Sequence, residues 1–262
     1  MSAGDSQDVS VAVFSEMSIS LTRSLSQIDQ WSVGHRTHHN VVMTGSLRLG
    51  NRAWTDLSPS VTVLIPIGSC EQHGPHLPVD TDTRIAEAVS DGAARRLADV
   101  IVAPAIAYGA SGEHAGFAGT LSFGTATTRD LLIELGRSGD WAARLVFVNG
   151  HGGNHEAVRA AVDVLRSEGR HVLDWWPTGE PGDLHAGRIE TSVMLHLAPD
   201  LIGPIPAPVE PPPFTALITD GVMAHSSSGV LGDPTGASAA EGARTLAAWI
   251  DDLTSAVESG SS

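Results

Sequence analysis

Between Gly68 and Asp82 the chain reads GSCEQHGPHLPVDTD, which gathers Glu71, His73, His76, Asp80 and Asp82 into fifteen residues interrupted by Pro75 and Pro78. Carboxylates and imidazoles at this density are the side chains that hold transition-metal ions. In an extended segment side chains two apart face the same side, so Glu71 and His73 present a carboxylate and an imidazole together. The two prolines keep the chain that follows out of a helix. Asp82 stands at the expected start of a helix, where an N-cap is the other reading of it. Farther on, NGHGGNHE puts His151 directly after an apolar run, and Gly150, Gly152 and Gly153 let backbone or ligand come close. Glu190, in HAGRIETSVMLHLAPD, is either a ligand or a first-turn acid that favours the helix dipole. If Glu71, Asp82 and Glu190 converge, two carboxylates about 4 Å apart repel by roughly 4 kcal/mol at an effective dielectric near 20, and cations remove that penalty. The mixed donor set suits zinc, manganese or iron(II) better than calcium. Two such ions bridged by one carboxylate form a common hydrolytic site.

Positioning these groups requires a regular scaffold. The apolar runs VTVLIPI (61 to 67), VIVAPAI (100 to 106), RLVFVN (144 to 149) and HVLDWW (171 to 176) read as buried strands. Helical patterns lie between or after them, at about 83 to 98, 128 to 138, 155 to 168, 188 to 197 and 237 to 257. In the first, Ile85, Val89, Ala93 and Leu97 share a face; in the last, Ser238 and Glu241 have capping-box spacing. The alternation predicts an α/β fold: a three-layer α/β/α domain over 43 to 262, with a mostly parallel sheet covered on both faces. Ligands bind outside the carboxyl ends of strands in such sheets, and EQHGPH, YGASGEHAGFAGT, NGHGGNHE and DLHAGRIETS all follow predicted strands. PIPAPVEPPPF (204 to 214) is too rich in proline for a helix and reads as an extended loop. Residues 1 to 42 are rich in serine and weakly periodic, and read as a disordered extension whose His35, His38 and His39 form a solvated tract.

Composition excludes several classes. A net charge of -15 repels nucleic acid and anionic membranes. All 15 basic residues are arginine, so a lysine Schiff base and a P-loop lysine are ruled out. The single cysteine, Cys70, permits no intrachain disulfide and reads as a small buried residue in a reducing, cytoplasmic compartment. No run reaches the length of a transmembrane helix. There is no G-x-S-x-G elbow and no G-x-G-x-x-G, and HEAVR begins like H-E-x-x-H but ends in Arg159.

Taken together, EQHGPHLPVDTD, GEHAGFAGT, VFVNGHGGN, HAGRIETS and GVLGDPTGASAAEG resemble the creatininase family of metal-dependent amidohydrolases. The resemblance runs from about Trp54 to Trp249 and implies an α/β/α fold, two divalent ions (zinc or iron(II), with manganese as a further choice) and a homo-oligomer, commonly a hexamer. Carried over, Glu71, Asp82 and His151 hold one metal, and His73 with a bridging Asp82 holds the second. Where creatininase itself carries another carboxylate this chain has Gly153, and Glu190 becomes the replacement. His185 and Glu190 take the catalytic assignment, His185 in proton transfer, while His114, Gly152 and Gly153 are assigned to substrate contact. IAYGASGEH and GRSGDWAARLVFVNGHGGN most resemble a peptidase branch that trims a C-terminal Val-Tyr dipeptide from a modified ribosomal precursor peptide during redox-cofactor maturation. Hydrolysis of a small cyclic amide or formamide is the alternative within hydrolases, and a metal-binding subunit without turnover is the alternative outside them.

Overall fold

Four aliphatic runs become a parallel sheet in the computed structural model, which describes residues 46–180 and 182–260. The extension expected over residues 1 to 42 lies outside the described residues. Strands β1 (Thr62–Ile67), β2 (Val100–Val102), β3 (Arg144–Asn149) and β4 (Val172–Trp175) pair in the order β2-β1-β3-β4. Thr62 aligns with Val100 on one side and Arg144 on the other. The strand expected over 100 to 106 stops at Val102, because Pro104 cannot continue the ladder, and Ile106 rejoins β1 only by a single bridge to Ile67. Pro66 is tolerated in central β1 for a related reason. Its carbonyl, like that of Leu64, faces the β2 side, so its missing N–H points where the β2 ladder has already ended.

Side chains alternate between the two faces of the sheet. Leu64, Val146 and Val148 pack with α1 (Thr81–Ala94), α4 (Arg188–Leu197) and α6 (Ala239–Ser259). Val63, Ile65 and Phe147 pack with α2 (Thr125–Ser138) and α3 (His155–Ser167). This is the predicted three-layer arrangement. Ile85, Val89 and Ala93 form the buried face of α1, while Leu97 lies beyond the helix end and packs against the same core. Ser238 caps α6, accepting from the Glu241 N–H at 3.2 Å. The proline-rich segment forms no helix before residue 214 and pairs only through a bridge from Val209 to Gly232, and the short α5 (Phe214–Asp220), unforeseen in sequence, begins at its end. Among the described residues no helix is long and apolar enough to cross a membrane.

The topology places the site. From β1 the chain crosses to β2 on one side, and from β3 to β4 on the other, so the order reverses between adjacent β1 and β3. A crevice opens outside the strand ends at such a switch point. Gly68 and Gly150, just past β1 and β3, let α1 start against both ends. A Cβ on Gly68 would overlap the backbone of Thr83, and one on Gly150 would overlap the Asp82 carbonyl.

Gly68→Ala should therefore destabilise the fold by about 1–3 kcal/mol through overpacking against backbone. Gly179→Ala, where no atom lies within 4 Å, is the control. Urea midpoints measure both, and equal midpoints would refute the close-approach argument.

Candidate metal centre

The loop after β1 folds back so that Glu71 N–H donates to Val79 O at 2.9 Å, which turns Glu71 and His73 inward beneath the first turn of α1. Asp82 is the second residue of α1 and caps nothing, contrary to the N-cap reading. It lies between two imidazoles instead: Oδ1 is 3.1 Å from His73 Nε2 and Oδ2 is 3.1 Å from His151 Nδ1. Ser69 Oγ donates to Oδ2 at 2.6 Å. His151, just past β3, brings its Nε2 within 3.1 Å of Glu71 Oε2. Glu190, the third residue of α4, reaches 3.9 Å from His73 Nε2 and accepts the Ala186 N–H at 2.6 Å. His185 Nδ1 is 3.6 Å from Glu71 Oε1. Thus Glu71, His73, Asp82, His151, His185 and Glu190 converge from three segments far apart in sequence.

Other residues of the opening stretch turn away. Asp80 pairs with Arg84 at 2.7 Å on the surface, and His76 Nε2 lies 2.9 Å from Thr191 Oγ1 behind the site. Cys70 is half-buried rather than buried and donates its S–H to Gly119 O at 3.4 Å. Sequence reasoning missed Glu113 and Gln72. Glu113 is the middle residue of a 3-10 turn, Gly112–His114, and its Oε1 lies 3.7 Å from His151 Nε2. A Cβ on Gly153 would overlap Glu113, His151 and the Ala110 carbonyl, so a glycine is required there. Glu113 therefore joins Glu190 as a carboxylate near the position that Gly153 leaves without one.

The donor set fits cations. Glu71 is 0% exposed, and neither of its side-chain oxygens has a hydrogen-bond donor. The ring N–H groups around it are directed to backbone carbonyls. His73 Nδ1 donates to Glu71 O at 3.1 Å, His151 Nε2 to Ala110 O at 3.0 Å and His185 Nε2 to Gln72 O at 2.8 Å. A backbone carbonyl can only accept, so neutral His73 and His185 keep their lone pairs on the nitrogens turned toward the carboxylates, the arrangement that metal-ligating histidines adopt, while His151, with a carboxylate oxygen 3.1 Å from each ring nitrogen, keeps its lone pair at Nδ1 beside Asp82. Without metal, protons take the place of cations. Burial opposes charge on His73, but Asp82, with Glu190 and Glu71 behind it, raises its pKa to about 10. Burial likewise opposes charge on His151, yet Glu71 and Asp82 hold it well above the ordinary imidazole value. Burial works against the Asp82 carboxylate too, but His73 and His151 keep it well below the usual range. Glu190 is pushed up to about 7, by burial first and against the pull of His73. Burial and the neighbouring His73 charge drive His185 well below the ordinary imidazole value.

A cavity of about 270 Å³ opens onto this cluster. Its lining combines Asp82, Glu113, His114, His151, His185 and Glu190 with the apolar Leu184, Leu217, Ile218, Val222 and Leu231. Gly152, Gly153 and Glu113 connect it to a second cavity of about 710 Å³ that runs past Thr125 and His155. The residues assigned to substrate contact, His114, Gly152 and Gly153, thus all border the cleft.

Known proteins are similar to this chain. The family model described as "Creatininase: Creatinine amidohydrolase" matches residues 51–257. The "Mycofactocin precursor peptide peptidase" of Mycobacterium tuberculosis (strain CDC 1551 / Oshkosh) is 50% identical over 235 residues, covering 82% of this chain and 91% of the relative. The "Creatinine amidohydrolase" of Pseudomonas putida is 32% identical over 213 residues, 66% of this chain and 80% of that protein. The solved structure "Creatininase Mn" superposes with a TM-score of 0.65 at 27% identity, covering 82% of this chain and 98% of its own.

Because a metal ion must displace the protons held by His73 and His151, its binding releases protons. With the His73 pKa near 10, apparent zinc affinity should rise from pH 7 toward pH 10, roughly tenfold per pH unit for each proton displaced. Chelator competition at several pH values measures this. An affinity independent of pH would remove His73 and His151 from the ligand set.

Proposed function

This chain belongs to the creatininase family, and on that premise we propose that it is a metal-dependent peptidase of mycofactocin maturation, releasing a C-terminal Val-Tyr dipeptide from the modified precursor peptide. The observation that carries this reading is the 50% identity to the peptidase across 91% of its length, set against 32% to creatinine amidohydrolase. The reaction class is hydrolysis of a carbon–nitrogen bond. Assembly into a homo-oligomer and a cytoplasmic location belong to the same proposal.

Glu71, Asp82 and His151 would hold one divalent ion, and His73, Asp82 and Glu190 the other, with zinc, iron(II) or manganese suited to the donors. Bound there, such ions supply Lewis acidity and lower the pKa of a water molecule. The chain's own residues do the rest. The wall of Leu184, Leu217, Ile218, Val222 and Leu231 excludes water and receives apolar side chains of the peptide. His185 is held by its bond to the Gln72 carbonyl so that a free lone pair faces the cluster at Nδ1. From there it accepts a proton and returns it to the leaving amine, which departs poorly as an anion. Ser69 steadies Asp82, and the Ala186 N–H steadies Glu190.

Mass spectrometry of the modified precursor peptide should reveal loss of a C-terminal dipeptide, abolished by chelation, with creatinine left untouched. Creatinine turned over faster than any peptide would overturn the assignment. Asp82→Asn should be the most damaging ligand change, since both imidazoles face that carboxylate. His185→Ala should lower turnover by about 10² to 10⁴ with metal content intact, whereas Glu190→Gln should lose metal and activity together. The reverse pattern of metal content would exchange the two roles.

A further inference from the structure

Gln72 lies between two proposed ligands, yet its buried side chain turns toward neither of them. Its Oε1 accepts the Gly74 N–H at 2.8 Å, which settles which end of the amide is oxygen. Its Nε2 then donates one proton to Gly229 O at 3.0 Å. The second proton has two imidazole nitrogens in reach, His114 Nδ1 at 2.8 Å and His185 Nε2 at 3.1 Å. His185 Nε2 cannot accept it, because it is itself donating to Gln72 O at 2.8 Å. His114 Nδ1 is the acceptor. A neutral imidazole that accepts at Nδ1 carries its proton at Nε2, and His114 Nε2 is the nitrogen that faces Glu71 Oε1, 3.5 Å away. That is too long for a well-formed N–H···O bond. The neighbouring loop is shaped around the amide: Gly229 sits at φ +83, and a Cβ there would overlap Gln72.

Building on the peptidase reading, we infer that Gln72 is a positioning residue that fixes His114 in the Nε2–H tautomer, and that this N–H is donated to the scissile carbonyl oxygen as negative charge develops on it. His73 and His185 are held with lone pairs inward by backbone carbonyls, His151 donates from Nε2 to the Ala110 carbonyl with Nδ1 beside Asp82, and His114 alone among these four rings is oriented by an amide donor. The site therefore contains one imidazole, His114, whose N–H is set by a side-chain amide and faces the cluster without a well-formed acceptor. A donor set in advance toward the developing oxyanion needs no reorganisation during the reaction.

Long-range ¹H–¹⁵N correlation spectra of zinc-loaded, ¹⁵N-histidine-labelled protein report each tautomer directly. His114 should show the Nε2–H pattern. Gln72→Met should release that preference and lower kcat by about tenfold to a hundredfold, with zinc content unchanged. Combined with His114→Ala it should cost nothing further, since the effect acts through that ring. A wild-type His114 protonated at Nδ1 would overturn the inference even if the variant failed to fold. So would an unchanged tautomer in a slowed Gln72→Met protein, or losses that add fully in the double variant. A wild-type enzyme that cleaves no peptide would remove the peptidase reading and leave the tautomer result standing.

Discussion

The burial of Glu71 and Asp82 is the constraint on which the rest of the site depends. An ionised carboxylate taken out of water without compensation costs several kcal/mol, and Glu71 has no hydrogen-bond donor on either side-chain oxygen. Positive charge must therefore be supplied, by metal ions when they are bound and by protons on His73 and His151 when they are not. The raised pKa values of those two rings express the same demand as the proposed metal affinity. Both are consequences of negative charge held where water cannot reach it.

Holding that charge in place falls to backbone. Gly68 and Gly150 allow α1 to start against the ends of β1 and β3, and this puts Asp82 between rings carried by the two strand-end loops. Backbone carbonyls of Glu71, Ala110 and Gln72 then orient three histidines from behind. Backbone carbonyls of buried residues are better fixed than long side chains. The ligand atoms thus inherit their geometry from the fold rather than from one another.

The cleft has a charged and an apolar part to its lining, and these two sets of residues, its charged and apolar walls, have different origins. The charged wall grows from strand ends and the first turns of helices. The apolar wall comes from α5 and the loops around it, beyond the sheet, where Leu217, Val222 and Leu231 make a small cluster of their own. Relatives that share the first wall can therefore differ in the second. This agrees with a family whose members include both a peptidase and a creatinine amidohydrolase.

Much of this was legible in the linear sequence because local periodicity and strand-end position are local properties. The aliphatic runs specify strands wherever both faces are buried, and β3 and α4 fall at the expected residues. Ligand-type residues directly after those runs had to meet at one edge of the sheet. What could not be read locally was decided by contacts between distant segments. Asp82 looked like a cap, and only packing against β1 and β3 shows that its carboxylate lies between two imidazoles. His76 and Asp80 had the same composition signal as their neighbours but turn to Thr191 and Arg84. Glu113 enters the site because the β2–α2 loop folds over Gly153, and α5 forms after a proline-rich stretch that predicts no helix. Gln72 carries no signal of its own, since an amide acquires meaning only from the groups at its two ends. Those groups, Gly74, Gly229 and His114, are brought together only by the tertiary fold.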